Sequence, residues 1–183
     1  MSESLDRFVS LFHRRWAVPV LAELKRSRGA KFISLVNHLG VDRQTLHITL
    51  DHLIDEGWLV HNPGYGHPMR PEYLLTPEGR RLAPGSARLL GTVRRLDIEP
   101  LAFNKWTMPL TYLLGRGPRR FSDLQHELPP ITARALTLSL KDLQQTDLVH
   151  RAVIDDYPPV TCYRLNRRAK PIWKALVPLA RAV

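Results

Sequence analysis

A chain of 183 residues with 44% hydrophobic side chains has enough apolar surface for a packed core, and its net charge of +10 points to a polyanionic partner. The single cysteine, Cys162, excludes an internal disulfide and suits a reducing cytosol. No apolar run approaches the ~20 residues that a membrane helix needs, and Asp6, Arg7, His13 and Arg14 interrupt any apolar centre in Met1–Arg15, so neither a span nor a signal peptide is expected and the expected location is the cytoplasm. Taken in chain order, Leu5–Phe12 predicts a helix, and Trp16 opens a segment that leads to a short amphipathic helix, Phe32–Leu39. After the tight connection Gly40–Val41, Asp42 is a good N-cap for a helix with Leu46, Leu50, Leu53 and Ile54 on one face, which Gly57 ends. Two extended stretches, Trp58–His61 and Glu72–Thr76, flank a Pro/Gly-rich segment and predict a hairpin.

Ala83–Phe103 contains an amphipathic piece with Leu89, Leu90, Val93 and Leu96 on one side, which predicts a helix starting near Ser86. A second short helix, Phe121–Leu128, and a turn at Pro129–Ile131 lead to a helix capped by Thr132, with Leu136, Leu140 and Leu143 inward and Asp147 as a weaker stop. Leu148–Ile154 and Thr161–Asn166 predict another hairpin. In Ala169–Ala182, Ile172, Trp173, Leu176, Val177 and Leu179 recur at helical spacing.

The two series are one series repeated. Trp16 and Trp106, Pro19 and Pro109, and Leu24 and Leu114 are 90 residues apart, as are Leu46, Leu50 and Leu53 from Leu136, Leu140 and Leu143, and Tyr73 and Leu75 from Tyr163 and Leu165. Phe32, Leu35 and Leu39 match Phe121, Leu124 and Leu128 at an offset of 89, and the gaps fall where loops are expected. Two helices joined by so short a turn form a helix-turn-helix, and the hairpin after each is a wing. The expected fold is therefore mainly α with small β wings: two tandem winged helix-turn-helix domains, residues 1–83 and 104–183, joined by a linker helix in 84–103. The outer helices Leu5–Phe12, Ser86–Leu96 and Ala169–Ala182 are expected to pack the copies together about a pseudo-twofold axis. Charge is uneven between them, with 12 Lys/Arg against 9 Asp/Glu in residues 1–90 and 15 against 8 in residues 91–183.

Such a motif sends its second helix into the major groove of duplex DNA. Because leucines take the inward face, the outward residues are Arg43, Gln44, His47 and Ile48 in the first copy, and Ala133, Arg134, Thr137, Leu138 and Lys141 in the second. Arginine pairs best with guanine and glutamine with adenine, so Arg43, Gln44 and Arg134 are the expected base readers. Thr45, Thr132 and Thr137 suit phosphate contacts near a helix N-terminus. Arg119 and Arg120, His67 and Arg70 in the first wing, and Arg151 and Arg164 on the strands of the second are further backbone candidates. Asp155 and Asp156 would repel phosphate from the second wing tip. The bland alternative for each residue is a solvated helix face.

Other chemistry finds less support. His47 and His52 are five apart and do not share a helix face, and no cysteine or carboxylate completes a set with His61 and His67, so no metal is expected. With no Gly-rich phosphate loop, nucleophile elbow or paired carboxylates, the sequence predicts no cofactor and no enzyme. Cys162, in a strand, reads as a small core residue. Trp173 on the last helix could line a cavity for a planar ligand or simply pack, which leaves room for a small-molecule effector. A winged-helix scaffold for protein partners, without DNA binding, is the competing function.

The second copy carries Asn104-Lys105-Trp106 leading into Thr107–Leu114, then Gly117-Pro118-Arg119-Arg120-Phe121-Ser122-Asp123-Leu124, Ile131-Thr132-Ala133-Arg134-Ala135-Leu136-Thr137, and Pro158-Pro159-Val160-Thr161-Cys162-Tyr163-Arg164-Leu165. In this combination it resembles the HxlR family of bacterial transcription regulators. In the first copy, Tyr73-Leu74-Leu75-Thr76-Pro77-Glu78-Gly79-Arg80 resembles the strand-and-turn signature of winged-helix regulators. The resemblance implies sequence-specific binding of double-stranded DNA. Family members are usually single-unit homodimers, whereas this chain carries both units, so it is expected to act as a monomeric pseudo-dimer or as a homodimer. Many members have a cysteine shortly before the Lys-Trp segment; neither Leu5–Arg15 nor Asp97–Lys105 contains one.

Overall fold

Leucine spacing and cap chemistry lay out the elements in a recurring order. The computed structural model describes residues 3–62, 72–154 and 160–183. Helices α1 (Glu3–Ser10), α2 (Ala17–Ser27), α3 (Phe32–Leu39) and α4 (Arg43–Asp55) precede an antiparallel hairpin of β1 (Leu59–His61) and β2 (Tyr73–Leu75). A long helix, α5 (Pro77–Arg95), and a four-residue one, α6 (Glu99–Ala102), lead to α7 (Thr107–Gly115), β3 (Arg119–Arg120), α8 (Phe121–Glu127) and α9 (Ala133–Gln145). Strands β4 (Val149–Ile154) and β5 (Val160–Leu165), a 3-10 turn at Arg167–Ala169 and α10 (Lys170–Ala180) complete the chain.

Helices α4 and α9 are alike in their details. Each is 13 residues long. The Asp42 carboxylate accepts the Thr45 N–H at 2.8 Å, and Thr132 Oγ1 accepts the Ala135 N–H at 3.1 Å, so each first turn has a partner for an N–H the helix cannot satisfy itself. Each helix ends on a left-handed residue, Gly57 at φ +74° and Asp147 at φ +56°. Aspartate is among the few residues that tolerate this conformation, and Asn166 Nδ2 holds Asp147 by donating to its carboxylate at 2.6 Å. The strands that follow pair in matching register, Leu59 with Leu75 and Val149 with Leu165. In the second sheet β3 adds to β5, giving the order β3-β5-β4; in the first half, among the described residues, a single bridge, Ala30 to Tyr73, stands in that place.

Buried apolar residues of both halves form one continuous core. Helix α5 packs along α2 and against α10, and α10 packs on α7 and α1. The Phe8 ring of α1 lies 4.9 Å from the Tyr112 ring of α7, tying the first helix to the second half. Cys162 is buried at 4% exposure, as expected of a small core residue.

The helix expected to start near Ser86 begins instead at Pro77, nine residues earlier. The stretch Thr76–Arg80 is therefore a helix start rather than a turn: Thr76 Oγ1 accepts the Gly79 N–H at 3.0 Å, and Pro77, whose missing N–H costs nothing in a first turn, follows the cap. Pro84 lies inside α5 on its exposed side, where water can take the carbonyl that a proline leaves without its helical donor. Residues 83 and 84 are consequently neighbours within one helix.

Candidate nucleic-acid interface

Burial of Leu46, Leu50 and Leu53 fixes the rotation of α4, and Leu136, Leu140 and Leu143 fix that of α9. The phase that results exposes Arg43, Gln44, His47 and Ile48 on one helix and Ala133, Arg134, Thr137, Leu138 and Lys141 on the other. Among the described residues, no ion pair involves Arg43, Arg134 or Lys141. All three are exposed, so their charges face solvent. Ile48 and Leu138, one repeat apart, are 41% and 52% exposed, an apolar spot at the same place on each helix.

The flanking hydroxyls are less free. Thr45 is partly buried, and its carbonyl accepts the Thr49 hydroxyl at 2.8 Å. Thr132 uses an oxygen lone pair in the cap, which leaves its proton for another acceptor. Thr137 donates its hydroxyl proton back to the Ala133 carbonyl at 2.8 Å, so a phosphate would have to displace that bond. Hydrogen bonds from Thr45, side chain before backbone, hold the Asp42 carboxyl below the usual carboxylate range, so the cap stays anionic at neutral pH. His47 is steadied from below by Phe32, whose ring centroid lies 4.6 Å away.

Beside α8, Arg120 is exposed, and the Asp123 carboxylate fixes its backbone by accepting the N–H at 3.0 Å. Arg119 is half-buried and donates Nε to Glu127 Oε1 at 2.7 Å, so its charge is already neutralised within the chain. Arg151 and Arg164 are exposed on β4 and β5. His67 and Arg70, and Asp155 and Asp156, lie outside the described residues. Sequence reading missed the supports, Phe32 under His47 and Glu127 against Arg119, because each pairs side chains from separate elements and leaves no periodic signal. Among the described residues, no group of His, Cys, Asp or Glu could hold a metal ion, and no helix is long and apolar enough to cross a membrane.

Comparison with known proteins places this geometry in context. The family model described as HxlR-like helix-turn-helix matches residues 101–182. The chain is 31% identical over 90 residues to an uncharacterized HTH-type transcriptional regulator, BH0655, of Halalkalibacterium halodurans, a match that covers 45% of this chain and 80% of that protein. It is 39% identical over 62 residues to the HTH-type regulator YdeP of Bacillus subtilis, covering 34% and 48%. Against the reduced form of the regulator YodB from B. subtilis the identity is 25% and the TM-score 0.42, over 44% of this chain and 81% of that one. The chain spans about half the length of several curated relatives that it matches. The family motifs, the capped α9 that carries one of them and the extent of the BH0655 match agree: the chain belongs to the HxlR-like helix-turn-helix family.

Proposed function

We propose that this chain is a sequence-specific, double-stranded DNA-binding transcription regulator in which α4 and α9 each enter a major groove. One observation carries the reading. Two helices of equal length, capped and terminated alike, are rotated by their buried leucines so that Arg43, Gln44 and His47 on one, and Arg134, Thr137 and Lys141 on the other, face outward. On this reading Arg43, Gln44 and Arg134 read base edges, and Ile48 and Leu138 meet thymine methyl groups. Thr45, Thr132, Arg120 and Arg164 then hold the phosphate backbone. The two halves act as tandem winged helix-turn-helix units fused into a pseudo-dimer, with α1, α5 and α10 as the seam. The test is fluorescence anisotropy with genomic duplex fragments across a salt series. The logarithm of affinity should fall linearly with the logarithm of salt as condensed counterions are released.

A second reading rests on the exposed Ile48 and Leu138, which would also suit an apolar groove on a protein partner. A well-folded sample that binds no duplex at about 50 mM salt would favour that scaffold.

A further inference from the structure

Between the C-terminal end of α2, the β1–β2 hairpin and the first turns of α5 lies an open groove of about 670 Å³, within the range of small-molecule sites. Its floor is apolar: Leu24 and Ala83 are buried, Leu75 is partly so, and Val60 stands 46% exposed at the edge. Its rim is cationic, formed by Lys25, Arg28 and Arg80. Neighbouring Arg26 is already paired with Glu23 at 2.6 Å, whereas the three rim residues form no ion pair among the described residues. Arg80 donates to the Leu75 carbonyl at 3.3 Å, which holds its guanidinium over the hairpin. Arg28 caps α2 at φ +58°, a conformation in which glycine is the favoured residue, so an arginine is held there against backbone preference.

The internal repeat supplies a control for this groove. An offset of 90 maps Lys25 onto Gly115 and Ala83 onto Trp173. In the second half the indole of Trp173 lies directly on Gly115, so close that a Cβ there would come within 1.9 Å of the ring. The same place is filled by the chain's own aromatic ring in one half, and is open and ringed with cations in the other. Among the described residues Trp173 Nε1 is buried without a hydrogen-bond partner, which marks its ring as a space-filler.

We propose that the first-half groove binds a planar aromatic carboxylate. Its rings lie where the Trp173 indole lies in the second half, and its carboxylate faces Lys25, Arg28 and Arg80. The apolar floor supplies the burial, and charge-assisted hydrogen bonds from the rim supply the selectivity for an anion. Calorimetric titration of the full chain, without DNA, tests this with 1-naphthoate, with 1-naphthalenemethanol as the uncharged ring and with octanoate as the ringless anion. Naphthoate should saturate one site and bind at least about tenfold more tightly than either control. The double variant K25M/R28G keeps an apolar stem at one position and relieves the backbone at the other. It should weaken naphthoate about tenfold and leave naphthalenemethanol unchanged. Ala83→Trp, alone or with Lys25→Gly to reproduce the Trp173–Gly115 pairing, should abolish naphthoate binding in a chain that still melts cooperatively. Absence of naphthoate binding, equal binding of either control, or undiminished binding by the folded variants would overturn the proposal. Because the readout contains no DNA, these outcomes are independent of whether α4 and α9 bind a duplex.

Discussion

Arg43 and Arg134 do not occupy equivalent positions. At the repeat offset Arg43 corresponds to Ala133, Gln44 to Arg134, His47 to Thr137 and Asp51 to Lys141. The guanidinium is thus displaced by one residue between helices, and a carboxylate on α4 faces outward where α9 carries an ammonium. Replacing Arg43 or Arg134 by alanine should cost about 1–3 kcal/mol on the specific site and relax base preference locally, read as anisotropy titrations against a panel of single-base variants. If both variants keep full affinity, the groove assignment fails. Arg119 should behave differently: its charge is already matched by Glu127, so Arg119→Ala should alter duplex affinity less than Arg120→Ala does in the same titration. The Asp42 cap has a pH signature. Its carboxyl is depressed by the Thr45 hydrogen bonds, so its contribution is full above the unfolded-state value and is lost as pH falls through the lower folded-state value. Thermal melts between neutral pH and acid should therefore show the wild type losing more stability than Asp42→Asn, which caps without titrating. Parallel curves would remove the carboxylate from that role.

Helix α5 owes its position to a small residue. A methyl at Gly79 would sit 2.0 Å from the carbonyl oxygen of Trp58, a backbone atom that also accepts the Thr76 N–H at 3.2 Å and cannot turn aside. Gly79→Ala should therefore destabilise the fold by about 3 kcal/mol or more, seen in denaturant midpoints, even though alanine is the better helix former. The second half carries Ala169 at that position, and there the chain opens with a 3-10 turn before α10. Likewise Gly115→Ala should expel the Trp173 indole and red-shift its emission. This explains which elements were legible in the sequence. The leucine ladders and caps of α4 and α9 obey local rules of spacing and hydrogen-bond chemistry, and they matched the structure to within a residue or two. The start of α5 was not legible, because Gly79, Pro84 and Gly85 read locally as helix breakers. The tolerance of the two glycines is tertiary, since Gly79 admits the Trp58 carbonyl and Gly85 lies against Leu179 of α10, whereas Pro84 is tolerated on the exposed side. The outward residues of the candidate interface followed from helix phase, whereas the cationic groove did not, since Lys25, Val60 and Arg80 come from three separate elements.

At the scale of the whole molecule the question is how many chains one DNA site requires. Two recognition helices must lie about one helical turn apart, roughly 34 Å, to enter successive major grooves on one face of the duplex. A single-unit regulator meets that demand by pairing two chains. This chain carries two candidate helices, and α10 packs on both α1 and α5, whose buried residues join a core continuous across both halves. On the proposed pseudo-dimer reading, the surface that would pair two chains is then already covered within one. A monomer should then bind one site, and because α4 and α9 present different side chains, the two half-sites should differ in sequence. The operator would be an imperfect palindrome, bound in one orientation. Sedimentation of the complex should give one chain per duplex, and hydroxyl-radical footprinting should give two protected stretches of unequal base preference. The Arg43→Ala and Arg134→Ala variants should each relax only one of them. Two chains on a symmetric site, with both variants affecting both halves equally, would mean that the seam forms between chains after all, and the fused arrangement would fall while DNA binding stood.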